Sequence, residues 1–265
     1  MQKKAGYDAM IQGEGGLMSI TGEPGGSPMK VGVALVDVMT GLYSSNAILA
    51  ALMARHNTNA GQYSDISLLD VQVAALANQG MNFLTTNENP KRLGNEHPNI
   101  VPYQTFETKN GSLILAIGND TQFASFCRLC QCEELSEDKR YKMNEARVKN
   151  RNTLIPIIGE IIAKQSTHWW IDQLEKIFVP CGPVNTLKEV FSHPQIKHRN
   201  MVRQIPNINN NLVNVVASPI NLSSTPIQYK SASPNLGQHT SQILDKFLNY
   251  EQAKIDQLLS DGVVS

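Results

Sequence analysis

The stretch "ALVDVMTGLYSSNAILAALMAR", Ala34–Arg55, decides how the chain is read. Leu42, Ile48, Leu49 and Leu52 recur at helical spacing. Gly41, Ser44, Ser45, Ala47, Ala50 and Ala51 leave small surfaces between them that permit close packing. "HNTNAGQ" (56–62) follows with Asn and Gly, which terminate helices. The expectation is one long helix. Near its start, Asp37 stands alone among Val, Ala, Leu and Met, where burial is costly unless the carboxylate is paired or hydrogen-bonded. Three roles are open to it: capping the helix, for which Asp is favoured; a solvent-facing position; or a functional carboxylate able to attack an activated acyl group.

Upstream, residues 1–33 are rich in Gly, Pro and Ser, and "TGEPGGSP" (21–28) is the most turn-prone piece. "GEGGLMSITGEPGG" (13–26) lacks the Gly-Lys-Ser/Thr ending of a P-loop and the preceding strand of a dinucleotide fingerprint. Its glycines instead point to positive φ and close backbone approach. Downstream, "QYSDISLL" (62–69) alternates like a strand and "LDVQVAALANQGMNFL" (69–84) returns to helical spacing, which suggests α/β packing. After the Pro- and Asn-rich connector "NENPKRLGNEHPNIVP" (87–102), "YQTFETKNGSLILAIG" (103–118) reads as a hairpin about Asn110-Gly111. Helices are expected over "DTQFASFCRLC" (120–130), 143–164 and 167–177, a loop over "VPCGPVNT" (179–186), and a β segment over "NINNNLVNVVASPINL" (207–222). Two short helices are expected within 237–262, and a domain change near residues 90–100.

The 265 residues are 41% hydrophobic, enough for one large domain or two modest ones. Lys+Arg and Asp+Glu each number 23, so the basic footprint of a nucleic-acid binder is missing. No apolar run in the sequence approaches the ~20 residues that span a bilayer. "MQKKAGYDAM" has no apolar h-region and does not read as a secretory signal. The four cysteines, Cys127, Cys130, Cys132 and Cys181, are therefore expected as reduced thiols in a reducing compartment. "CRLCQC" (127–132) has no second Cys/His pair to complete a four-ligand zinc site, so these cysteines read as small buried apolar residues and no metal site is expected. The histidines, including "HPQIKH" (193–198), read as structural or surface residues.

Five ordered blocks together resemble the family III (CaiB/BaiF-type) CoA-transferases, with the nearest likeness to the succinyl-CoA–glutarate branch. "AGYDAMIQGEGGLMSITGEPGGSPMKVGVALVDVMTGLY" (5–43) looks like the family's central catalytic block, and "NAGQYSDISLLD" (59–70) like the segment after it. "RLGNEHPNIVPYQTFETKNGSLILAIGND" (92–120) resembles the entry to the small domain. "CGPVNTLKEVFSHPQIKHRNM" (181–201) and "LGQHTSQILDKFLNYEQAKIDQLLSDGVV" (236–264) resemble the C-terminal signatures.

The resemblance implies an α/β fold: part of a large Rossmann-like CoA-transferase domain plus a smaller α+β domain, in a family of interlocked dimers. It places residues 1–92 in the large domain, 93–220 in the small domain, and 221–265 returning to the large domain. In the family, the block that starts here at Ala5 lies more than a hundred residues into the chain, so the family's N-terminal portion is expected to be missing. Asp37 falls on the family's catalytic aspartate. Lys4, Ala5, Gly6 and Tyr7 fall on a segment that contacts CoA, with Lys4 a phosphate partner. Gly118 and Asn119 fall on a glycine-bearing loop that closes over the site, where backbone N–H groups could stabilise an anion. Tyr7 stands where the related racemases carry a histidine, and a phenol of pKa ~10 is a poor acid/base replacement, which favours transferase over racemase.

The expected function is therefore CoA transfer between an acyl-CoA donor and a small (di)carboxylic acid through an aspartyl-CoA thioester. CoA is a substrate, and no resident cofactor is implied. The alternatives are a non-catalytic remnant or one half of a split enzyme, and an acyl-CoA racemase or isomerase. Expected partners are acyl-CoA, a small carboxylic acid, and a second copy or a separate N-terminal half, with neither nucleic acid nor membrane. The expected location is cytoplasmic, or the mitochondrial matrix in a eukaryotic source.

Overall fold

The computed structural model describes residues 5–265. Contacts divide the chain after Val184 into two units, a division that does not coincide with the boundaries near 92 and 220 drawn from the sequence. The architecture is mixed α/β. The first unit opens with α1 (Asp8–Glu14), α2 (Leu17–Ile20), the long α3 (Leu35–Thr58), α4 (Leu68–Ala74) and α5 (Ala77–Thr86). The expected long helix is thus present, ending at Asn59 in a left-handed conformation that stops it.

The Gly-rich segment before residue 33 forms α1 and α2, separated by the left-handed Gly16, with turns over 21–26 and positive φ at Gly22 and Gly25 as its composition suggests. Two expectations fail here, each for a local reason. Residues 62–67 form no strand. A strand needs a neighbour for its N–H and C=O groups, and no strand among the described residues pairs with it. The expected 69–84 helix breaks between α4 and α5, where Ala77 takes a positive φ.

The apolar faces of α3 are not covered by the described residues. Val36 is its one buried residue, while Val38, Leu42, Ile48, Leu49, Leu52 and Met53 are all exposed. By length and composition, with a mean hydropathy of 1.4, α3 could also cross a bilayer, which corrects the reading that no apolar run approaches that length. Length and composition pass a core helix of a soluble protein by the same measure.

The remainder of the first unit carries its core. β1 (Tyr103–Thr108) and β2 (Gly111–Ala116) form the expected antiparallel hairpin, followed by α6 (Asp120–Leu129), α7 (Glu133–Glu137), α8 (Asn144–Lys149), α9 (Arg151–Ile162), α10 (Thr167–Lys176) and β3 (Cys181–Pro183). Thr108 pairs with Gly111, so the turn is Lys109-Asn110, one residue earlier than the Asn-Gly signal placed it. Asn110 is held in that turn because its Oδ1 accepts the Thr167 N–H at 3.0 Å, tying the hairpin tip to the start of α10. β3 pairs antiparallel with β2, Leu115 facing Cys181, which corrects the expected loop over 179–186. Leu113 and Leu115 alternate inward against Phe123 and Phe126 of α6, Leu154, Ile158 and Ile162 of α9, and Trp170 and Leu174 of α10. Cys127 and Cys132 sit inside this core, as small apolar residues would. Burial pushes the Cys130 thiol up to about 12, and raises Cys132 as well.

In the second unit, α11 (Leu187–Ser192) and α12 (Pro194–His198) precede an antiparallel hairpin of β4 (Val202–Pro206) and β5 (Leu212–Val216), then α13 (Thr240–Leu248) and α14 (Gln252–Ser260). His193 caps α12, its Nδ1 accepting the Gln195 N–H, a structural use. The observed sheets are antiparallel. The parallel sheet of a Rossmann-like domain has no strand among the described residues.

The connector before β1 is pinned by Arg151, whose guanidinium meets Glu96 Oε2 at 2.7 Å and the carbonyls of His97 and Pro98. His97 stacks on Tyr103 and its Nδ1 accepts the Asn99 N–H. Burial, then the nearby Arg151 charge, lowers the His97 pKa below its ordinary value. A histidine shifted down binds fewer protons folded than unfolded, so its stability contribution is complete above ~6.5 and is lost as pH falls toward the folded value. The thermal midpoint should therefore drop more for the native protein than for His97→Gln between about pH 7.5 and about pH 5.5. An equal drop would show that His97 is not the titrating group.

Candidate active site

The candidate site is built where α1 meets the start of α3. The N-cap of α3 is Ala34, which has no side-chain acceptor, so the first-turn N–H groups need a partner from elsewhere. Asp8 supplies it across 28 positions of sequence: its Oδ1 accepts the Val36 N–H at 2.8 Å. The other carboxylate oxygen accepts from Gln12 Nε2 at 2.7 Å, one turn along α1. Gln12 is fully buried, and its Oε1 accepts the Val31 N–H at 2.9 Å. One carboxylate and one carboxamide thus fasten the segment leading into α3.

This arrangement removes one of the three readings of Asp37. It is the third residue of α3, exposed, and its carboxylate has no hydrogen-bond or ion-pair partner among the described residues. Asp37 is not the cap, because Asp8 fills that role. It stands in the first turn, where a negative side chain interacts favourably with the helix dipole. The chain therefore presents an unengaged carboxylate at a fixed helix end.

The glycines before α3 turn out to serve the chain's own packing. A Cβ at Gly15 would collide with the Gln72 side chain, and one at Gly22, whose φ is 122°, would lie 2.9 Å from the Ser27 carbonyl. Arg92 holds the intervening turn, donating from Nη2 to Gly26 O at 2.6 Å and from Nη1 to Ser19 O at 3.3 Å. Gly94 N–H completes the clasp on Gly22 O. Beside it, Gly16, Ile20, Leu76, Phe83 and Pro90 enclose a cavity of about 150 Å³.

Of the other residues expected at the site, Lys4 lies outside the described residues. Ala5, Gly6 and Tyr7 are exposed, and Tyr7 is the N-cap of α1, its carbonyl accepting the Ile11 N–H. Gly118 and Asn119 immediately precede α6, Asn119 as its N-cap. The Gly118 N–H donates to Gln122 Oε1 at 2.8 Å, and Asn119 Oδ1 caps the helix through the Gln122 N–H. The Gly118 donor expected to face an anion is thus engaged by Gln122, and no hydrogen bond brings Gly118 or Asn119 to Asp37 among the described residues. Asp8, Gln12 and Arg92 were not foreseen. The four-residue spacing of Asp8 and Gln12 is the signal that could have found the first two, once residues 8–14 are read as a helix.

Asp8→Ala should cost about 0.5–2 kcal/mol, the usual range for a lost cap, and should speed hydrogen exchange at the Val36 amide. Asp8→Asn keeps an acceptor and should be milder. Unchanged Val36 exchange in Asp8→Ala would contradict the capping role.

Comparison with known proteins gives the family. The succinate–glutarate CoA-transferase of Agrobacterium fabrum is 43% identical over 94% of this chain and 62% of its own length. The succinyl-CoA:glutarate CoA-transferase of Homo sapiens is 39% identical over 100% of this chain and 60% of its own length. The solved structure of a CaiB/BaiF family protein from Brucella suis is 44% identical, with a TM-score of 0.75 over 91% of this chain and 62% of that one. The chain thus spans about three-fifths of the length of the curated relatives it matches. The model of CoA-transferase family III matches residues 1–240, and the chain belongs to that family.

Proposed function

We propose that the chain carries the nucleophile of a CoA-transferase that moves CoA between an acyl-CoA and a small dicarboxylic acid. The observation that carries this reading is the unengaged Asp37 carboxylate at an α3 start already capped by Asp8. A carboxylate free of hydrogen bonds is available to attack a thioester carbonyl. The attack gives an acyl-aspartyl anhydride and releases CoA thiolate. The thiolate then attacks the Asp37 acyl carbon, expelling the donor's carboxylate and leaving an aspartyl-CoA thioester. The acceptor carboxylate displaces CoA thiolate to form a second anhydride, and the thiolate takes the acceptor's acyl group, restoring Asp37. Each intermediate is hydrolysable, so the site must exclude water. Small dicarboxylic substrates are supported by the names of the similar transferases.

The exposed apolar faces of α3 favour a second element of the reading: the working protein includes a cover for them, either a second copy or a polypeptide supplying the rest of the relatives' length. In that assembly residues 1–92 and 221–265 belong to a Rossmann-like large domain and residues 93–220 to a small one. Ala5, Gly6, Tyr7 and Lys4 contact CoA there, Gly118 and Asn119 lie on the substrate loop, and the compartment is cytoplasmic or mitochondrial matrix.

The test is label exchange from succinyl-CoA to glutarate, run with the chain alone and with the complementary polypeptide. Transfer that requires Asp37 supports the proposal. Absence of transfer in both assemblies contradicts it. Deuterium uptake at the substrate α-carbon without transfer would instead indicate a racemase or isomerase.

A further inference from the structure

The second unit contains a small, partly open cavity whose polar lining is weighted toward donors. It lies where the end of α12, the start of β4 and the segment after β5 meet, and has a volume of about 90 Å³. Arg199, Arg203, Ser218, Asn221 and Tyr229 are among the residues that line it. Neither arginine forms an ion pair with an acidic residue among the described residues. Arg203 instead sits with its Cζ 5.8 Å from the Tyr229 ring centroid. Two exposed arginines thus line one cavity with no carboxylate partner among the described residues, so an anion held there would answer charge that solvent otherwise only screens.

The hydroxyls add to this bias. The Tyr229 oxygen accepts the Ser218 N–H at 2.8 Å, so its own O–H remains free to donate. Ser218 Oγ likewise accepts the Ile220 N–H at 3.2 Å and keeps its proton for another partner. Asn221 Nδ2 is occupied by the Pro219 carbonyl. Ala217 and Ile227 supply apolar wall, which lowers the local dielectric and strengthens attraction to an anion.

We propose that this cavity binds a phosphoryl group. Two guanidinium forks and two hydroxyl donors match the charge and the three terminal oxygens of a phosphate dianion, whereas one fork suffices for a carboxylate. The volume admits the group itself and not a whole nucleotide. The occupant is therefore free phosphate or a phosphate projecting from a larger molecule such as CoA. Phosphate binding here does not depend on the role of Asp37.

The experiment titrates the full chain with inorganic phosphate, followed by calorimetry and by phosphorus NMR line broadening. The native protein and Asp37→Asn should bind phosphate alike. The pair Arg199→Gln with Arg203→Gln should weaken binding about tenfold or more, as expected when both charged donors are lost. Arg199→Lys with Arg203→Lys, which keeps the charge, should retain part of the affinity and controls for folding. Competition by CoA but not by dephospho-CoA identifies the 3′-phosphate as the occupant, and competition by neither identifies free phosphate. No phosphate binding by the native chain, or undiminished binding in the double Gln variant with native circular dichroism, overturns the proposal.

Discussion

Asp37→Asn is expected to abolish CoA transfer while leaving the fold in place. The carboxamide has the size of the carboxylate but cannot act as the nucleophile, so no covalent intermediate forms. Deletion of a covalent nucleophile typically costs ~10⁴–10⁶ in rate, and a loss within that range is expected in whichever assembly transfers CoA. Because the Asp37 side chain is exposed and unpartnered, the stability change should be confined to its dipole interaction, about 0.3–1 kcal/mol. Asp37→Ala controls for slow deamidation of the introduced Asn. A variant that retains native transfer rates would remove Asp37 from the chemistry.

The second large effect is on stability, at Arg147. Its side chain, from α8, is fully buried, and four of its five N–H donors have protein acceptors. Nε donates to Val101 O at 2.6 Å, Nη1 to the carbonyls of Tyr141 and Lys142, and Nη2 to Asp120 Oδ1 at 2.8 Å. The plane also lies over Phe123, with Cζ 4.5 Å from the ring centroid. Burial lowers the Arg147 pKa, opposed by its bond to Asp120, and the group remains charged because guanidinium does not deprotonate in proteins. Arg147→Met fills the space but leaves three carbonyls without this donor, while the part-exposed Asp120 carboxylate turns to water, so it should cost about 3 kcal/mol. Both tryptophans, Trp169 and Trp170, lie on α10 in or against this core, so fluorescence-detected denaturation reports on the affected unit. A midpoint unchanged in Arg147→Met would mean that the bonds contribute nothing net.

What the sequence disclosed follows the range of the forces involved. α3, the β1–β2 hairpin, α6, α10, α13 and α14 were legible because their spacing and end signals are local. β3 was not, because a Cys-Gly-Pro segment becomes a strand through the free edge of β2 and not through its own propensity. α1 was hidden by the surrounding glycines, and with it the role of Asp8, whose partner Val36 is remote in sequence. Without that contact, Asp37 remained equally readable as a cap. The arginine clasp on the glycine-rich turn was invisible for the same reason, since Arg92 lies 66 positions from Gly26. The Gly118 contact was likewise not legible: the resemblance placed Gly118 on a substrate loop, and only the folded geometry shows its N–H donating to Gln122, four residues on.

The central claim, that Asp37 becomes covalently acylated, can be read from one peptide. Trypsin cleaves after Lys30 and Arg55, and the released peptide, Val31–Arg55, contains Asp37 as its only side-chain carboxylate. The protein is incubated with succinyl-CoA in its active assembly, quenched with hydroxylamine, digested and analysed by mass spectrometry. The account predicts a hydroxamate on that peptide that requires succinyl-CoA and is missing from Asp37→Asn. An unmodified Val31–Arg55 peptide from a preparation that is transferring CoA would contradict it.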